Sequence, residues 1–215
     1  MAIKPLVAYW IARQTPLPPV QGSLYDYVLA ANGLFVRGER DGLRAMIPVV
    51  SCRVRGLAEV EPFVELIYPR VPGVLLGQML ELARAATSPD GQPIEAAFHL
   101  SWSGLSWELE IPVQQASAAH VQPLGPAIGS SYARALIEVH SHHTMPARFS
   151  SMDDADETGF RLFGVLGDIF GKACLRVRAG LYGHRWEIPA ASIFEMPEEI
   201  ADCMAGEPDK RGSES

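Results

Sequence analysis

Apolar and polar positions alternate with period two in several short runs, and one longer stretch shows helical spacing. Residues Tyr25 to Ala31 carry apolar and aromatic side chains and stop at Asn32-Gly33, a pair that tolerates positive φ and so makes a turn. Leu34 to Arg37 and Leu43 to Val50 follow, separated by a charged turn from Gly38 to Gly42. This pattern predicts a small β meander with hairpin turns, and Val64 to Tyr68 adds a further short strand. Pro69-Arg70-Val71-Pro72-Gly73 punctuates the chain and marks a boundary. Residues 1–70 are therefore expected to form a β-rich N-terminal region. It holds no catalytic constellation, and a structural role and a partner-binding role both stay open.

Beyond the boundary, Leu76, Met79, Leu80, Ala83 and Ala86 recur at helical spacing, and Thr87 to Gly91 ends that helix. Ile94 to Trp102 reads as a strand, and Trp107 to Ile111 alternates as a half-buried strand does. Residues 114–130 read as a connecting loop. Ala135 to Val139 fits a central strand interrupted by one glutamate. A helix is expected from Asp153 to about Phe163, its acidic first turn (Asp153, Asp154, Asp156, Glu157) complementing the helix dipole. Phe163 to Ile169, Ala173 to Gly180 and Leu181 to Ile188 read as strands. Apolar and basic residues alternate over Leu175 to Ala179, so one face of that strand is expected to be solvated. A second domain over residues 71–200 and a disordered tail over residues 208–215 complete the prediction.

Composition changes this picture little. The chain has 215 residues, 48% hydrophobic and 20% charged, which suits a globular protein with a sizeable core. No apolar run reaches the ~18 residues of a membrane span, and no signal-peptide core opens the chain, so a cytoplasmic protein without membrane partners is expected. The net charge of −7 argues against direct nucleic-acid binding. Cys52, Cys174 and Cys203 lie far apart, form no CxxC pair, and are expected to be reduced thiols.

The candidate chemistry gathers at Glu138-Val139-His140-Ser141-His142 and Ser150-Ser151-Met152-Asp153. Side chains at i and i+2 of a strand share a face, so His140 and His142 can reach one ion. Asp153, at the start of the next helix, can turn back as third ligand, which leaves the fourth position of a zinc ion for water. His143 falls on the opposite face, and His99, His120 and His184 read as polar or structural residues.

His140-Ser141-His142, seven residues, then Ser150-x-x-Asp153 is similar to the H-[ST]-H-x7-S-x-x-D motif of the JAMM (MPN/JAB, Mov34) zinc metalloprotease family. The resemblance implies a cytidine-deaminase-like α/β fold, an α-β-α sandwich, over the second domain. It also implies a bound Zn2+ held by His140, His142 and Asp153, an oxyanion donor in Ser150, and Glu95 as general base and acid. The implied activity is hydrolysis of peptide or isopeptide bonds at ubiquitin-like conjugates or precursors. Glu138 competes with Glu95 for the base, because it shares a strand face with both histidines; it could instead support a ligand or pair with Arg134 or Arg148. Glu138 and His143 both depart from the residues usual in the family. At a finer level, Ile137 to His143, Phe149-Ser150, Asp153 to Glu157 and Leu181 to His184 resemble the JAB-type proteins of bacterial PRTRC cassettes. That likeness implies a small ubiquitin-like protein and an E1-like (ThiF-related) protein as partners. A non-catalytic MPN-type scaffold and a RadC-like role in DNA maintenance are the alternatives.

Overall fold

The computed structural model describes residues 4–117, 120–123 and 131–204. Its first strands, β1 (Val7–Ile11), β2 (Tyr25–Ala30), β3 (Gly33–Arg40), β4 (Leu43–Ser51) and β5 (Phe63–Leu66), form a five-stranded sheet in chain order. β1 runs parallel to β2, and the other neighbours pair antiparallel. Helix α1 (Gly73–Ala85) follows, and its buried residues Leu76, Met79, Leu80 and Ala83 are four of the five in the predicted helical stripe; the fifth, Ala86, lies at its C-cap.

The rest of the chain builds β6 (Ala97–Trp102), β7 (Trp107–Glu110), β8 (Gln114–Ala116), β9 (Val121–Pro123), α2 (Ser131–Arg134), β10 (Ile137–Ser141), α3 (Ser151–Asp156), β11 (Phe160–Gly167), β12 (Cys174–Leu181), β13 (His184–Ile188) and β14 (Ala201–Asp202). Six of these strands lie in the order β13-β12-β11-β10-β6-β7, and β14 pairs beside β12 to make a seven-stranded sheet. β10 and β11 are parallel, and the sheet is otherwise antiparallel except at β14. β11 is buried along its whole length, as a strand covered on both faces must be, and its near-continuous apolar run reflects that. The chain is thus mixed α/β with most of its regular structure in sheet. Among the described residues no helix is long and apolar enough to cross a membrane.

One hydrophobic cluster joins the two sheets. Val36, Leu43 and Ile47 of the first sheet share it with α1, with Ile137 and Val139 of β10, and with Val177 and Leu181 of β12. A Cβ at Gly38 would stand 2.7 Å from Leu181 Cδ1, so glycine lets β3 close onto β12. Polar contacts cross the same seam. Arg40 Nη1 donates to the Phe160 carbonyl at 2.8 Å, and the Tyr27 hydroxyl lies 2.8 Å from His184 Nε2.

Several expectations are corrected. The charged stretch from Gly38 is not a turn: β3 continues to Arg40, and only Asp41-Gly42 turns, with Gly42 at φ +80°. Residues 7–11, given no element by the pattern, are β1. The strand foreseen from Ile94 starts at Ala97. The loop foreseen over residues 114–130 contains the β8–β9 hairpin. The helix foreseen to Phe163 stops at Asp156, because Gly159 takes φ +79° and the apolar run from Phe160 is needed as a central strand. Tyr182 and Gly183 turn the chain with positive φ, so β13 begins only at His184. Cys174 and Cys203 form a disulfide and are not separate thiols: β14 runs beside β12 with Ala201 against Cys174, which brings Cys203 within reach. Cys52 is free and exposed. The tail over residues 208–215 lies outside the described residues.

Candidate metal centre

β10 alternates buried and half-buried positions. Ile137, Val139 and Ser141 turn inward, and Glu138 and His140 face the other way. Residues directly paired across a ladder share a face. Glu138 stands opposite His99 of β6 and Phe163 of β11, and His140 stands opposite Ala97 and Val165. One strand further, Arg178 and Arg176 of β12 pair with Phe163 and Val165. One face of the sheet therefore joins the apolar core, and the other collects the imidazoles, Glu138 and two arginines.

Local hydrogen bonds fix the ligand segment. His142 N donates to Leu166 O at 2.8 Å and keeps the chain extended one residue beyond β10. His142 Nδ1 lies 3.1 Å from the Pro146 carbonyl, which has no proton to give, so Nδ1 donates and Nε2 keeps its lone pair for a metal. The loop can return this closely because β11 ends in Gly167, where a Cβ would stand 2.1 Å from Ala147 N.

Glu95 lies two residues before β6, not on it. Ser141 N donates to Ala96 O, Ala96 N donates to Ser141 Oγ, and Glu95 N donates to Ser117 O. These bonds seat the carboxylate with Oε1 3.9 Å from His142 Nε2. Glu95 is only 3% exposed, and among the described residues its Oε1 has no hydrogen-bond partner. Burial pushes its carboxyl up to about 7, and the Asp153 charge adds to the push.

Asp153 and Ser150 form a capping box at the start of α3. Ser150 N and Oγ both donate to Asp153 Oδ2, at 2.5 and 2.6 Å, and Asp153 N donates back to Ser150 Oγ. Asp153 Oδ1 is left 3.2 Å from His140 Nε2. Burial lowers His140 to about 4 despite the opposing pull of Asp153, so its ring is neutral, the form that ligates. Burial alone would raise the Asp153 carboxyl, but in the acid range where it titrates a protonated His140, together with the Ser150 hydrogen bonds, outweighs burial and holds it below its ordinary value.

The four side chains stand as two pairs, His140 with Asp153 and His142 with Glu95. Among the described residues no three His, Cys, Asp or Glu side chains are drawn together tightly enough to form a metal cage as they stand. The donor set nevertheless fits zinc. Donors about 2.0–2.1 Å from a tetrahedral ion lie ~3.3 Å from one another, close to the His140–Asp153 separation. His140 Nε2, like Glu95 Oε1, is buried without a hydrogen-bond partner.

Glu138 is engaged elsewhere. Its Oε2 lies 3.5 Å from Arg161 Nη1 and 3.5 Å from His99 Nε2, and His99 Nδ1 lies 2.8 Å from Ser131 Oγ. Neither Arg134 nor Arg148 is the partner that these distances give it; Arg134 pairs with Glu110. The largest surprise is Arg178, read as part of a solvated stripe but buried. It bonds Glu157 and Asp154 and stacks on the Phe149 ring. Only the crowding of acidic residues in α3 hinted at such a partner, and the dipole reading had absorbed it. No protein-family model matches the chain, and no curated protein matches it.

Proposed function

We propose that the chain is a zinc-dependent hydrolase of the JAMM type, built on a JAB/MPN-like fold, that cleaves peptide or isopeptide bonds. The substrate class we assign is a conjugate or precursor of a small ubiquitin-like protein, with an E1-like protein as its functional neighbour. One observation carries the reading: Glu95, a buried carboxylate with an unpartnered oxygen, faces the Nε2 side of His142 while the motif's other residues gather beside it.

His140, His142 and Asp153 would hold the ion. When bound, zinc supplies Lewis acidity and lowers the pKa of water toward neutrality. Glu95 takes the proton of the attacking water and returns it to the departing amine. A carboxyl near 7 can do both at ordinary pH. The single proton of Ser150 Oγ points at Asp153 Oδ2, so its hydroxyl must turn to donate to a developing oxyanion. Glu138 stays between Arg161 and His99, outside the proton path.

Metal analysis of the purified chain should find about one zinc per chain. A content well below that, under conditions that do not strip metal, would overturn the reading. With a ubiquitin-like fusion as substrate, Glu95→Gln should retain zinc and lose about 10²–10⁴-fold in rate, while Glu138→Gln should stay within about ten-fold. The reverse pattern would make Glu138 the base.

A further inference from the structure

We propose that Arg178 is a positioning residue of the metal centre: its guanidinium fixes α3, and through α3 the Asp153 carboxylate. The inference rests on the zinc reading above. A six-residue helix has too few turns to hold its own place. The capping box shapes its first turn but ties it to nothing outside the segment. The tether comes from β12. Arg178 Nε donates to Glu157 Oε2 at 2.7 Å, and its Nη2 donates to Asp154 Oδ1 at 2.8 Å. The guanidinium carbon lies 3.8 Å from the centre of the Phe149 ring.

These partners bracket the ligand. Phe149 precedes the capping serine, Asp154 directly follows Asp153, and Glu157 is the C-cap just past the last residue of α3. A single planar group thus holds the segment before, beside and after Asp153. Its own backbone lies on the strand beyond β11, opposite Phe163, whose other neighbour is Glu138 on the histidine strand. The helix is therefore hung across three strands of the sheet, and the His140–Asp153 separation of 3.2 Å depends on that span. Arg185 of β13 adds a second hold: its Nη2 donates to the Asp154 carbonyl, and its Nε lies 3.4 Å from Asp154 Oδ1 and 3.5 Å from Glu157 Oε2. A lysine could not replace the fork, because an ammonium is a point charge and cannot lie flat on the ring while reaching both carboxylates in its plane.

The test is competition between the full-length protein and a chromophoric chelator for Zn2+, with the visible spectrum of the Co2+-loaded protein as a second readout. Arg178→Ala should weaken zinc binding by about 10–100-fold and change the cobalt spectrum, as expected when a ligand loses its orientation. In an Asp153→Asn background the same change should cost less than about two-fold, because there is no longer a ligand to misplace. Should Arg178→Ala fail to fold, Asp154→Asn/Glu157→Gln breaks the tether from the helix side and leaves β12 untouched. It should give the same loss and the same dependence on Asp153. Wild type that binds no zinc would sink the metal centre itself. Wild type that binds zinc, with an unchanged Arg178→Ala affinity and spectrum, would overturn the positioning role alone. So would an equal loss with and without Asp153, since that would point to general charge or folding effects.

Discussion

Two buried carboxylates, one before each sheet's working strands are complete, are served very differently. Asp26 on β2 is fully buried and accepts from Trp10 Nε1, from the backbone N–H groups of Gln21 and Gly22, and from Nε and Nη2 of Arg37. Glu95 is nearly as buried, yet among the described residues its Oε1 accepts no hydrogen bond and has only His142 Nε2 at 3.9 Å. Leaving a buried acceptor unpaired costs about 1–3 kcal/mol, so the two sites differ in what they contribute to stability as well as in arrangement. Asp26 binds the N-terminal sheet together. Glu95 keeps capacity in reserve beside two imidazoles. Among the described residues His140, on the same face of the second sheet, shares this lack of a hydrogen-bond partner, as do buried atoms of His99, His143, Arg161 and Arg185.

The comparison can be broken most forcefully at Asp26. Asp26→Ala strands the Arg37 guanidinium, whose side chain is only 10% exposed, and orphans two backbone N–H groups. Chemical denaturation should show a loss of about 3–5 kcal/mol, with zinc affinity of the folded fraction unchanged. If zinc affinity falls in step, the two regions are not separable in the way argued.

Glu95 should show a smaller effect of opposite sense. Its carboxyl rises from 4.5 to about 7 in the fold, so between those values the folded state holds more protons than the unfolded one. The Glu95 contribution to the stability of the metal-free protein should therefore be fully present below the lower value, fall as pH rises through the window, and level off above it. Glu95→Gln should remove this dependence and make the metal-free protein more stable than wild type above the window, by about 1–3 kcal/mol. Glu157 and His140 titrate in the same window, so the readout is the difference between the two profiles: identical slopes for wild type and Glu95→Gln would overturn the unpaired state of Glu95. The smallest change is expected at Arg44 and Glu65, whose side chains are 46% and 49% exposed. Arg44→Ala should cost less than about 1 kcal/mol in the same denaturation experiment, which sets the scale of an ion pair that does neither job.

Much of the frame was legible because periodicity is local. The spacing of Leu76, Met79, Leu80 and Ala83 reports a helix face, and the alternation about Val139 reports which way His140 points. The Ser150 and Asp153 pair carries its own local signature as a capping box. What periodicity omits is the cover on a face. Arg176 and Arg178 alternate with apolar residues as a solvent-facing edge would, yet the α3 segment covers and buries Arg178, while Arg176 donates to the Ala147 carbonyl and to Glu187. The Cys174–Cys203 bond depends on a two-residue strand pairing across 29 positions, too short to leave a pattern. Glu138 took Arg161 as its partner for the same reason: the parallel pairing of β10 with β11 is set by the whole sheet, and no local spacing encodes it.

The division of β10 into two faces makes parity a property of this protein. Deleting Ile137 or Glu138 would shift the rest of the strand by a single step. The imidazole of His140 would then swing into the apolar cluster, and Val139 would be set among the charged groups. Removing two residues would shorten the strand but return each class of side chain to its own side. Length changes in this segment are therefore read as odd or even before they are read as long or short, and the odd ones turn the chemistry inside out.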